Sequence, residues 1–478
     1  MKFKNKEEVH NKAIQILNKP QKELVEELNM HIKGNKNAMG DVFEKWFGKE
    51  KDSASQPDLG VAELKATPFK KLKTTKNGKA QYSAKERLVL NIINYFDLVN
   101  EDFEHSHFMN KNNNLEIAFY EYINETSKDN WFFKYVIMYQ MEKSPVDYEV
   151  IKNDWETIKK YVKQGKAEEL SEGLTNYLAA CTKGKNHNSL RDQPYSKKRA
   201  KQRAFSFKAS FMTTILRNYV IGNKNNKAII KDPIEIKGKS LEELIKDKVA
   251  PYVGKSTKTL RKQFNITSKA KNINNIIARK MLGLDDSKNS FKGIDEFEKA
   301  SIIPKTIQVG QNKKNKESMS LPPFKFKDLS EQNWDNEDCT LKNYLKESKF
   351  LFVVFQEDEN NNVIFKGIIF HQIPINVLDN QIQQVWLDTQ NKLKEGIKLN
   401  YKKGRVHNNF IKLKNQLVVH VRPHASKACY KKSPYSNELP TPANWINKPS
   451  DYDPKYMTTQ SFWINNSYIK SVIKDLIG

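Results

Sequence analysis

The sequence predicts an α/β protein made of two copies of one fold, each with a mixed central sheet flanked by helices. Three observations predict it. Apolar runs of strand character alternate with helical patterns along the chain. The same order of segments recurs in the second half. A chain of 478 residues with 38% hydrophobic content has the material for two or three separate cores.

In chain order, residues 7–31 read as helix interrupted at Pro20, and 38–47 as a short helix. Residues 61–67, 117–122 and 132–141 read as strands. Residues 154–163 carry apolar side chains at helical spacing. The apolar stretch 174–180 fits either helix or strand, and 211–218 begins another helix.

The repeat is collinear. FKYVIMYQ at 133–140 resembles FKGIIFHQ at 365–372. Trp155 precedes Gly165 at the spacing with which Trp386 precedes Gly396. EKWFG at 44–48 aligns with RKMLG at 279–283, and AFSFKASF at 204–211 with SFWINNSY at 461–468. The offset grows only before the last pair, which places an insertion in the second copy around 400–409. The expected layout is a first domain over 1–222, a polar Lys/Asn-rich linker over 223–239, and a second domain over 240–478.

The 82 Lys and Arg against 56 Asp and Glu leave a formal charge of +26. Such a balance implies a polyanionic partner, nucleic acid first. Charged residues at 29% beside that apolar content exclude a disordered chain. Cys181, Cys339 and Cys429 form no CxxC pair, so neither a disulfide framework nor a zinc module is implied, and a cytoplasmic, reducing location is expected. No apolar leader follows Met1, and no run is long enough to span a bilayer.

Pro57-Asp58-Leu59-Gly60-Val61-Ala62-Glu63-Leu64-Lys65 carries the chemistry. Two carboxylates, Asp58 and Glu63, are hard ligands for Mg²⁺, which polarises a phosphate and lowers the pKa of bound water. Lys65 beside them stabilises developing charge. Glu63 and Lys65 are two apart, so a strand points both to one face. Gly60 permits the turn that brings Asp58 to that face. The helix at 38–47 offers Glu44 as a third carboxylate, and Lys36 at its entry is a candidate phosphate contact.

With these residues in view, the chain resembles the MutH/Sau-type group of PD-(D/E)xK nucleases. KNAMGDVFE at 36–44 and PDLGVAELKATP at 57–68 carry the resemblance, with LAACTKG at 178–184 and RAFSFK at 203–208 looking like the family's DNA-reading half. The match spans most of the first 220 or so residues. One departure is the short spacing of Asp58 from Glu63. The resemblance implies two restriction-endonuclease-like domains and Mg²⁺-dependent hydrolysis of double-stranded DNA at GATC. It also implies a cut before the G that leaves a 5′-phosphate. HVRPHASKA at 420–428 resembles the family's Arg-Pro recognition stretch. Arg279 aligns with Glu44, and the Glu63–Lys65 region falls near Ile303-Pro304-Lys305, so the acids are lost. The second copy is therefore expected to bind a second DNA site as an allosteric effector without cutting it. Two alternatives stand beside this reading: a strand-nicking repair endonuclease, and a non-catalytic DNA-binding regulator.

The remaining candidates are basic. Thr182, Lys183, Arg191, Arg203 and Lys208 in the first copy, and Arg422, His424 and Lys427 in the second, are expected at DNA. The run at 197–203 is expected at phosphates, and His420 at phosphates or bases. His105 and His107 lack Cys or His partners nearby and read as a solvated loop. A palindromic site would favour dimerisation on DNA.

Overall fold

Caps and amphipathic spacing set the N-terminal helices. The Asn5 side chain accepts the Glu8 N–H and starts Lys6–Ile14 (α1). Pro20 opens Gln21–Glu27 (α2), so residues 7–31 are two helices. Ala38–Trp46 (α3) buries Met39, Val42, Phe43 and Trp46 along one stripe. The computed structural model describes all residues except 1–2, 32–36, 50–55, 73–80, 124–126, 185–188, 223–225, 285–287, 289, 313–316 and 337–338.

The chain divides into two units. The first is Met1–Lys248 with Leu282–Ile302, and the second is Val249–Met281 with Ile303–Gly478. These bounds differ from a break over 223–239. The reason is local bonding. Ile229 and Ile230 donate their N–H groups to the buried Glu296 carboxylate, and Lys227 bridges Ile294. The polar composition of this stretch reads as linker, yet Lys227, Ile229 and Ile230 are hydrogen-bonded into the first unit.

In the first unit Glu63–Leu72 (β1), Gln81–Ala84 (β2) and Leu88–Ile92 (β3) are followed by short helices Tyr95–Leu98 (α4) and His107–Asn112 (α5). Then come Asn114–Glu121 (β4), Phe133–Gln140 (β5) and Pro145–Lys163 (α6). The main sheet runs β2-β1-β4-β5. It is mixed: β1 and β4 are parallel, and the outer pairings are antiparallel. Glu63 lies opposite Leu115 and Lys65 opposite Ile117. On the other face of β1, Leu64 joins Val9, Val42, Phe43 and Phe133 in one core under the helices. Pro145 stands in the first turn of α6, which therefore starts well before the periodic stretch 154–163.

A second sheet, β3-β9-β6, follows from Leu178–Thr182 (β6), with the hairpin Leu190–Gln193 (β7) and Ser196–Lys201 (β8), and Arg203–Phe207 (β9). The ambiguous stretch 174–180 thus ends in a strand. Buried Asp154 fixes its start by accepting the N–H groups of Asn176, Tyr177 and Leu178 at 2.8, 2.6 and 3.0 Å. Ala209–Thr214 (α7) and Leu241–Val249 (α8) follow.

Thr257–Gln263 (α9) and Ile273–Met281 (α10) belong to the second unit, while Asp295–Ala300 (α11) returns to the first. There Lys299 is buried between Asp147 and Asp295, at 2.7 Å from each. The second unit continues with Ile302–Val309 (β10), Met319–Phe324 (β11), Phe326–Glu331 (α12), Thr340–Glu347 (α13), Lys349–Glu357 (β12), Val363–His371 (β13), Ile375–Val377 (α14) and Gln383–Glu395 (α15). Its C-terminal part holds Lys398–Lys402 (β14), Arg405–Asn408 (β15), Val419–Pro423 (β16), Ser436–Glu438 (β17), Asn444–Ile446 (β18), Tyr456–Thr458 (β19), Gln460–Ile464 (β20) and Asn466–Ile477 (α16). Its sheets run β10-β12-β13 and β11-β20-β16. Those orders parallel β1-β4-β5 and β3-β9-β6 when strands are matched by their place along the chain. Among the described residues, no helix is long and apolar enough to cross a membrane.

Candidate active site

A tight turn delivers the first carboxylate. The Gly60 N–H reaches the Pro57 carbonyl at 3.0 Å, and Gly60 takes a φ of +74°. A side chain there would be strained, as the expected role of Gly60 requires. The turn sets Asp58 against the start of β1. Asp58 Oδ2 accepts the Leu64 N–H at 3.1 Å, and Glu63 Oε2 accepts the Asp58 N–H at 3.0 Å. The two acidic residues thus lock each other through the backbone.

Lysines complete the cluster. Lys65 Nζ donates to Glu63 Oε1 at 2.7 Å, from the same face of β1. Lys111, on α5, brings its Nζ to 3.6 Å from the same oxygen. Lys49 Nζ stands 4.0 Å from Asp58 Oδ1. Three ammonium groups therefore surround two carboxylates. The Glu63 side chain is 3% exposed and that of Asp58 14%, so the attraction acts in a partly desolvated setting. Such a centre attracts a phosphate while keeping hard oxygen donors for a cation.

Asp58, Glu63 and Lys65 are brought together as the sequence implies. Glu44 is not joined to them in a three-acid centre. Among the described residues no three His, Cys, Asp or Glu side chains converge to hold a metal. Glu44 lies on α3, whose apolar stripe packs with Leu64. Lys36 falls outside the described residues. Two carboxylates suit Mg²⁺, which retains several waters and needs few protein ligands, better than structural zinc. Lys111 and Lys49 escape sequence reasoning, because nothing in HFMNKN or beyond Gly48 marks a site lysine. Behind the centre, Glu116 lies opposite Leu64 in the register. Its buried carboxylate meets His10 Nδ1 of α1 at 3.0 Å. Burial pushes Glu116 up to about 7, with His10 acting the other way.

The basic candidates divide into surface and interior. Thr182, Lys183 and Arg191 are exposed, and Arg191 bonds Gln202 at 3.1 Å. Lys197, Lys198, Arg199 and Lys201 are exposed on the β7–β8 hairpin. Arg203 and Lys208 require correction. Arg203 is 6% exposed, and its guanidinium donates to the Ala180 and Leu170 carbonyls. Burial lowers its pKa. Lys208 is buried and donates to the Thr175 carbonyl at 2.6 Å. Both hold loops to the sheet and do not face solvent. His420 is likewise buried, against Asn465, and burial lowers its pKa. In the second unit Arg422, His424 and Lys427 are exposed. Arg422 lies over the Trp463 ring at 4.7 Å, and Lys427 over Tyr435 at 4.7 Å. Ser461 Oγ sits 3.2 Å from His424 Nδ1. His105 is exposed and paired with Asp102, as a solvated loop would be, whereas His107 is half-buried and begins helix α5.

Comparison with known proteins fits this geometry. Residues 47–154, which hold the whole cluster, match the family described as DNA mismatch repair enzyme MutH. That match defines the class of the first unit as a MutH-like endonuclease domain. Over 99% of its length the chain is 48% identical to the type II restriction enzyme Sau3AI of Staphylococcus aureus, of which 99% is covered. The chain belongs to that family of type II restriction enzymes.

Proposed function

We propose that the chain is a Mg²⁺-dependent restriction endonuclease that cuts double-stranded DNA at GATC, before the G, leaving a 5′-phosphate. The reciprocal lock between Asp58 and Glu63, with Lys65 at 2.7 Å, carries the proposal. Asp58 and Glu63 would hold the ion. When bound, Mg²⁺ supplies phosphate polarisation and a water of lowered pKa. Lys65 orients the attacking water and neutralises charge as it develops on the phosphate. Lys111 and Lys49 draw the DNA backbone in. Three free cysteines fit a reducing cytoplasm.

The second unit is read as a degenerate copy that binds a second DNA site as effector. Its sheet orders parallel those of the first unit, which supports duplication. Strand β10, IIPKTIQV, stands in the place of β1 and carries no Asp or Glu, which supports loss of cutting. Dimerisation on a palindromic site accompanies this reading.

Sequencing the ends of a plasmid digested with Mg²⁺, beside an EDTA control, tests the proposal. Ends opening at GATC on both strands, absent with EDTA, are expected. Nicks confined to one strand would favour a repair enzyme. No cleavage would favour a DNA-binding regulator.

A further inference from the structure

From Gly396 to Asn437 the chain has no Asp or Glu, although acids average about one residue in nine overall (56 in 478). The same stretch holds ten Lys and Arg. Its first element is the β14–β15 hairpin, which lies in the region where the repeat shows an insertion. Lys402 stands directly opposite Arg405, and Asn400 opposite His407. Alternation therefore gives the ribbon two faces. One carries Lys398, Asn400, Lys402, Arg405 and His407, and all but Asn400 are exposed. The other carries Leu399, Tyr401 and Val406, which pack inward. Tyr401 meets Tyr452 edge-on, and Tyr452 stacks on Tyr430 and touches Trp445. An aromatic base thus holds the ribbon in place.

The tip is built against its own stability. The two-residue turn is Lys403-Gly404, with φ of +50° and +74°. Such a turn favours Asn-Gly, and lysine at the first position is strained. Like charges directly opposite across a hairpin repel. No ion pair joins Lys402, Lys403 or Arg405 to a carboxylate among the described residues. Three cations gathered at one exposed tip are explained by an anion that arrives from outside. A two-stranded ribbon also has the width of a DNA major groove.

We propose that the β14–β15 hairpin is a docking element for the duplex-DNA backbone, contacting phosphates through Lys402, Lys403 and Arg405. The inference rests on the reading of the second unit as a DNA binder, and it assigns that role to an element with no counterpart in the first unit's strand order. The test uses the full chain with Lys402→Gln, Lys403→Asn and Arg405→Gln together. Asn suits the left-handed turn, so the fold is kept and Tm is expected to hold or rise. A short GATC duplex is titrated in trans against cleavage of a single-site plasmid at several KCl concentrations. The duplex concentration for half-maximal stimulation should rise at least about tenfold, and the log–log salt slope should become shallower by about 2–3. The charge-keeping pair Lys402→Arg and Arg405→Lys should behave as the parent chain does. An unchanged midpoint and slope in the neutralised variant would overturn the proposal. If the duplex does not stimulate the parent chain, the effector reading fails. Direct duplex binding by anisotropy then decides the hairpin alone: a shallower slope supports it, and an unchanged one overturns it.

Discussion

At the scale of single residues, Lys111 is the informative one. It approaches Glu63 Oε1 from α5 at 3.6 Å, whereas Lys65 comes from β1 itself. With two ammonium groups at one carboxylate, removing one should slow the chemical step without abolishing DNA binding. Lys111→Ala is expected to lower the single-turnover cleavage rate by about 10²-fold, with the Kd for duplex changed little. Quench-flow cleavage beside anisotropy binding separates the two. Asp58, Glu63 and Lys65 were legible in the sequence because alternation on one strand and a glycine turn suffice to bring them together. Lys111 was not, since its approach depends on how β3, α5 and β4 follow one another. Arg203 and Lys208 were misread for the opposite reason. A basic residue near a strand end looks like surface, and only the packed structure reveals carbonyls waiting for it in the interior.

At the scale of elements, one buried polar joint ties a helix to the first unit's main sheet and another ties two of its helices together. Glu116 on β4 meets His10 on α1, directly behind Leu64 of β1. Its folded pKa of about 7 lies above the unfolded value of 4.5, so the native state holds the proton more tightly. That contribution is full below about pH 4.5 and is lost as pH rises through about 7. Glu116→Gln should therefore gain on the parent chain as pH rises from 5 to 8, by on the order of 1–3 kcal/mol, in melts across that range. Parallel melting curves would count against the buried-carboxyl account. The second joint is Lys299 of α11 between Asp147 and Asp295. Lys299→Met strands two acids and should cost about 3–5 kcal/mol in urea unfolding, with part recovered by adding Asp147→Asn. A loss under about 1 kcal/mol would mean that water reaches the acids. The strands were legible as elements from their apolar runs. The docking of 282–302 was not, because Lys299 and Glu296 are charged residues that composition assigns to a surface.

At the scale of the whole molecule, the chain pairs a unit that holds a carboxylate–lysine centre with a unit whose corresponding strand has none. The repeat was visible in four short matches, and strand order reproduces its arrangement in both units. Domain bounds were less visible, since a hydrogen-bonded polar stretch and a linker share one composition. The account stands on a single cutting centre in the first unit. Glu63→Gln tests it most directly, because that change keeps the side chain's shape and removes its charge. In the full chain with Mg²⁺, cleavage of a GATC plasmid should fall by more than about 10³-fold, while duplex binding stays within about threefold of the parent. Cleavage persisting near the parent rate would contradict the account and place the cutting centre elsewhere.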